Sequence, residues 1–200
     1  MLGFPTQPRY LLPFITLMIV FTVLMVVPER YSSALVFNSN LINDGEIWRL
    51  LTGHLVHSNF NHLYLNCAGM LLVWALHGEY YPRFKGLPLV LISSIVIGIG
   101  LFLTTDYQNY YGFSAVIHFL LVWGALIDVQ NKDKTGYLLL IGLIFKVGYE
   151  QVTGGDPMTA ATIGANVATE SHLIGVLVAL VLFFLMPKAI FDVDNKKAAI

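Results

Sequence analysis

Six apolar stretches run through this 200-residue chain: Tyr10–Val27, Leu55–Tyr81, Gly86–Thr104, Phe113–Val129, Thr135–Val152 and His172–Met186. A helix of about 20 apolar residues crosses the roughly 30 Å hydrocarbon core of a bilayer, so these stretches read as membrane helices. The composition agrees. Hydrophobic residues make up 56% of the chain and charged residues only 12%, with a mean hydropathy of +0.71; soluble domains carry about 25% charge. A soluble enzyme and a disordered chain are excluded, and 11 basic against 12 acidic residues leave no basic excess for nucleic acid. The single cysteine, Cys67, excludes a disulfide framework and a cysteine-rich metal site. The expected fold is therefore an all-α membrane protein, one six-helix domain over residues 1–200. The first stretch does not read as a cleaved signal: it is too long, is interrupted by Pro13, and is followed by Pro28-Glu29-Arg30.

Orientation follows from the cations. With the N-terminus in the cytoplasm, inner segments hold Arg9, Arg83, Lys85, Lys132, Lys134, Lys188, Lys196 and Lys197, while outer loops hold only Arg30 and Arg49. This positive-inside bias puts both termini in the cytoplasm.

Polar residues inside a span are costly and usually functional. The second stretch opens with His54-Leu55-Val56-His57-Ser58-Asn59-Phe60-Asn61-His62 and continues to Asn66; the fourth opens on Gly112-Phe113-Ser114, and the sixth on Ser171-His172. All three run inward from the outer side. Ser114 lies 15 residues before Val129, Asn66 lies 15 before Tyr81, and His172 lies 14 before Met186. At a rise of about 1.5 Å per residue each is roughly 21–22 Å above the inner boundary. A serine, an asparagine and a histidine thus share one level, with His62 one turn above Asn66.

That grouping suits nucleophilic catalysis. His172 is the candidate base for the Ser114 hydroxyl. The Asn66 amide, His62 and the Ser114 backbone N–H are candidate donors to a developing oxyanion. No aspartate shares the level on these helices, so a Ser–His dyad is the economical reading. Each residue also has a structural reading: Asn66 and His62 as interhelical hydrogen bonds, His57 as a packing residue, and His118 as a hydrogen-bonding residue beneath the serine. Lys146 and Glu150, four apart on one face of the fifth span, read as an ion pair, or as a pair that meets the polar part of a substrate.

The motifs His57-x4-His62-x3-Asn66, Gly112-x-Ser114 and His172-x2-Gly175 resemble the three signatures of the rhomboid intramembrane serine proteases. Trp48-Arg49 is similar to the Trp-Arg pair that those proteins carry in the first loop. The resemblance implies Ser114 as nucleophile, His172 as base, His62 and Asn66 as oxyanion-hole side chains, and His57 as structural. Short length, His118 and Lys146-x3-Glu150 look most like the rhombosortase branch, which is associated with cleaving C-terminal sorting tails of exported proteins. The implied partners are the bilayer and a membrane-anchored substrate with such a tail; no cofactor, metal or nucleic acid is expected. The implied setting is the inner membrane of a bacterium, with the site opening outward. Two positions depart from the family pattern: Ala115 follows the serine, and Ala179 stands where the sixth helix usually has a second glycine. A slightly altered contact between the fourth and sixth helices is expected. A different class, a b-type haem or metal-binding membrane protein with ligands such as His62 and His172, also accommodates the six histidines.

Overall fold

The computed structural model describes residues 4–186. Lys188, Lys196 and Lys197, counted above among the inner cations, lie outside the described residues. Six helices of 17 to 22 residues carry the apolar stretches: α1 (Pro8–Val26), α2 (Phe60–His77), α3 (Arg83–Thr104), α4 (Ser114–Gln130), α5 (Lys134–Thr153) and α6 (Thr169–Leu185). By length and hydropathy alone, α1 and α3 are sufficient to cross a membrane.

The second stretch differs from expectation at its start. Leu55 and Val56 were apolar enough to join the span, yet α2 begins only at Phe60. Asn59 caps it, its side chain accepting from the His62 N–H at 2.8 Å. Such a cap satisfies a donor that a helix start otherwise leaves unpaired, and it lets residues 53–59 run as a loop.

The segment between α1 and α2 is built from short pieces. Helices Glu29–Ser32, Ser39–Asn43 and Arg49–Thr52 surround a two-residue strand, Phe37–Asn38, which pairs antiparallel with Asn109–Tyr110 just before α4. Buried Arg49 staples this segment, donating to Glu46 Oε2 at 2.6 Å and to the carbonyls of Ser33 and Val36. Trp48 donates to the Ala34 carbonyl. Gly98 of α3 has no room for a side chain because the Leu50 carbonyl rests on it, so the segment is seated directly on a helix backbone.

Helix α4 is the centre of the bundle. It is buried almost all round from Ala115 to Asp128, as an apolar helix must be when other helices enclose it. The backbone of α6 touches it where Gly175 lies on the Ala115 carbonyl, and Gly136 of α5 lies on the Ala125 carbonyl. Ala179 is fully buried in the same α4–α6 seam. At the other end of α4, Asp128 accepts from Tyr80 Oη at 2.6 Å and pairs with His77 Nε2 at 3.0 Å.

The connection from α5 to α6 contains a further helix, Pro157–Ile163. Asp156 caps it, accepting from the Thr159 N–H and hydroxyl at 2.7 Å each, and those donors hold the exposed Asp156 carboxyl below its usual range.

Candidate active site

Ser114 is the first residue of α4, and a glycine sets up the turn that delivers it. Gly112 has φ +114°, a conformation side-chain-bearing residues rarely adopt, and a Cβ there would lie 2.6 Å from His62 Nε2. Tyr110 Oη donates to the Gly112 carbonyl at 2.8 Å, and the Gly112 N–H donates to the Gly53 carbonyl. The loop before α2 and the loop before α4 therefore hold one another. At the head of α4 the first-turn N–H groups, that of Ser114 among them, have no acceptor within the helix.

His172 comes from the first turn of α6, and its Nε2 is 2.9 Å from Ser114 Oγ. Close contact at Gly175 brings the two helices near enough for this bond. His172 Nδ1 lies 2.8 Å from Glu150 Oε2, while Glu150 Oε1 lies 2.6 Å from Lys146 Nζ. Lys146 Nζ also sits 3.1 Å from His118 Nε2, and His118 Nδ1 donates to the Ser114 carbonyl at 2.7 Å. The His118 and His172 rings stack with centroids 4.2 Å apart. The sequence reading assigned His172 no carboxylate because no aspartate shares its level; a glutamate from α5 is there instead.

His62 and Asn66 face the serine turn from α2. Asn66 Nδ2 donates to the His62 carbonyl at 2.9 Å, and its buried Oδ1 has no partner among the described residues. Ser58 Oγ lies 2.9 Å from His62 Nδ1 and donates to the Ile163 carbonyl at 2.6 Å. A hydroxyl has one proton, so with that proton on Ile163 the His62 Nδ1 is the donor and Nε2 carries a lone pair. His57 packs edge-on between Phe21 and His62, ring centroids 5.2 Å from each. A cavity of about 570 Å³ is lined by Ser114, His172, His62, Asn66, His118 and Lys146, with residues of Pro157–Ile163 along its rim. Trp48 and Arg49 are not brought to it; they organise the first loop.

Sequence reasoning named Glu150 but not its contact with His172, and did not single out Ser58 or Tyr110. His118, Glu150 and His172 are also the group whose ligand atoms, within 4.8 Å of one another, could hold a metal ion. The Lys146 ammonium bonds both His118 and Glu150, so a cation there would have to compete with a charge already in place.

Fold and site together define a helical membrane protein with a serine–histidine pair in a cavity near one end. The sequence model described as "Rhomboid domain" matches residues 44–189, most of the chain and every residue of the site. The chain belongs to the rhomboid family, and it is an all-α membrane protein. It is similar to "Rhomboid protease AarA" of Providencia stuartii, 32% identical over 89 residues. That similarity covers 43% of this chain and spans 30% of the length of that relative.

Proposed function

We propose that the protein is an intramembrane serine endopeptidase with Ser114 as nucleophile and His172 as its base. The observation that carries this is the 2.9 Å bond from Ser114 Oγ to His172 Nε2, inside a cavity at the N-terminal end of α4. In the reaction Ser114 Oγ attacks the scissile carbonyl carbon while its proton moves to His172 Nε2, and the carbonyl π electrons pass to oxygen. Collapse of this oxyanion expels the amine, which takes the proton from His172, and leaves an acyl group on Ser114. Water, or an amine in a transfer reaction, then attacks the ester with His172 again accepting the proton, and collapse breaks the ester bond, releases the acyl product and returns that proton to Ser114 Oγ.

The oxyanion needs fixed donors. Asn66 Nδ2 has one N–H beyond its bond to His62, and the Ser114 N–H is free of helical acceptors. His62 becomes a third donor when Ser58 turns its proton from Ile163 to Nδ1, or when the ring is protonated.

The substrates are membrane-anchored proteins cut near the outer face of the bilayer, with both termini of the protease in the cytoplasm as the cation distribution favours. The rhombosortase-like features narrow this to C-terminal sorting tails of exported proteins at a bacterial inner membrane. Co-expression with tagged exported candidates tests the reading, with wild type set beside Ser114→Ala and His172→Ala. Each variant is expected to lose nearly all cleavage while remaining folded, because paired catalytic groups act as a unit. Substantial cleavage by folded Ser114→Ala sinks the assignment.

A further inference from the structure

Five hydrogen bonds around Ser114 form a closed ring, and the chemistry of the members leaves each proton one position. A carboxylate only accepts and an ammonium only donates. Glu150 Oε1 therefore accepts from Lys146 Nζ, and Oε2 accepts from His172 Nδ1. With its proton on Nδ1, His172 offers the Nε2 lone pair to the Ser114 hydroxyl. In the other direction Lys146 Nζ donates to His118 Nε2, so His118 holds its own proton on Nδ1 and gives that bond to the Ser114 carbonyl. The ring leaves Ser114 by its side chain and returns to it by its backbone.

Resting on the protease reading above, we propose that Glu150 is the positioning residue for His172. Lys146 and His118 lock its carboxylate in the orientation that keeps His172 Nε2 free to take the Ser114 proton. An ion pair serving only to neutralise itself would not need its second oxygen on His172. The burial is lopsided in a telling way: the Glu150 side chain is 14% exposed and the Lys146 side chain 48%. The carboxylate is sealed against the histidine, while the lysine stands on the cavity wall and could meet water without its partner. When Ser114 gives up its proton, His172 becomes an imidazolium whose Nδ1–H already faces a carboxylate. The proton on Nδ1 stays there, and Glu150 stabilises the new charge without being protonated.

The flank formed by Lys146 makes the idea testable with one isosteric change. In Glu150→Gln the amide has one acceptor and one donor end. Lys146 attracts the carbonyl oxygen, which turns the NH2 toward His172 Nδ1. That nitrogen must then accept, so the histidine proton moves to Nε2 and blocks Ser114. Fluorophosphonate labelling of Ser114, scored per folded molecule, is expected to slow about 100-fold or more, as tautomer errors do in triad enzymes. Adding Lys146→Met removes the attraction and lets the amide turn its oxygen to His172, so the double variant is expected to label about 10-fold faster than the single. Nitrogen NMR of the His172 ring reads the same event: Nδ1–H in wild type, Nε2–H in Glu150→Gln.

Labelling of Glu150→Gln within about 3-fold of wild type overturns the proposal, as does a folded double variant no faster than the single, or an unchanged tautomer. If the single variant does not fold, Lys146→Met is compared with the double variant. A drop of about 10-fold is expected there, because a neutral amide stabilises the imidazolium less than a carboxylate, and equal rates overturn the proposal. Failure of the protease reading looks different, since it appears as cleavage that survives Ser114→Ala.

Discussion

Asn66 has two amide protons and uses one of them on the His62 carbonyl, leaving the other for the cavity it lines. If that proton meets the oxyanion, Asn66→Ala should lower kcat by about 10- to 1000-fold and move KM much less. If the residue only ties a helix turn together, kcat per folded molecule should hold while the melting temperature falls. Steady-state kinetics and a melt on the same preparation separate the two. Ser114, His172 and Asn66 were legible in the sequence as candidates because they are polar groups at one helical depth, with His62 one turn above, where hydrocarbon makes an idle polar group expensive. Glu150 was legible as a residue but not as a partner of His172. Helical spacing pairs it with Lys146 four residues back, and says nothing about what its second oxygen meets on another helix. Ser58 lay in a loop, where no periodicity points a side chain anywhere.

Among the elements, the pair α4 and α6 carries Ser114 and His172, the proposed nucleophile and base, and the helices meet most closely at Gly175. Any side chain there meets the Ala115 carbonyl, which belongs to a backbone and cannot turn aside. Gly175→Val is expected to push the helices apart at a stability cost of about 1–3 kcal/mol. A misplacement near 1 Å costs roughly 100-fold in rate, so the labelling of Ser114 should fall far more than the fraction folded. Near-normal labelling with a lowered melting temperature would show that the seam is not what sets the Ser114–His172 distance. The expectation that Ala115 and Ala179 slightly alter this seam meets a structure in which both are fully buried and the backbones still touch at Gly175. Apolar length alone made the long helices legible. It misjudged the start of α2, because an apolar Leu55-Val56 looks the same in a loop as in a helix until the Asn59 cap is seen to divide them.

Taken as a whole, the molecule separates its tasks by depth. The end of the bundle that holds the N-terminus of α4 is occupied by the hydrogen-bonded ring around Ser114, and the opposite end by the Asp128 tie from α4 to His77 and Tyr80 near the end of α2. Nothing in the sequence marked His77 apart from the other five histidines, since its partner lies 51 positions away. Asp128→Ala is expected to cost about 1.5–3 kcal/mol, the worth of hydrogen bonds to a charged group. The Ser114 labelling rate per folded molecule should stay close to wild type, which melting and labelling together would check. The segment over the cavity joins the two loops in another way. Ser58 holds a single hydrogen, and two groups have a use for it. While it rests on the Ile163 carbonyl, the short helix ending there is fastened down and His62 turns a lone pair, not a proton, toward the serine turn. With that hydrogen on His62 Nδ1 instead, the neutral ring carries its own proton at Nε2. One hydrogen thus serves two masters in turn, either the tie to Ile163 or a neutral ring with its proton at Nε2, and never both at once.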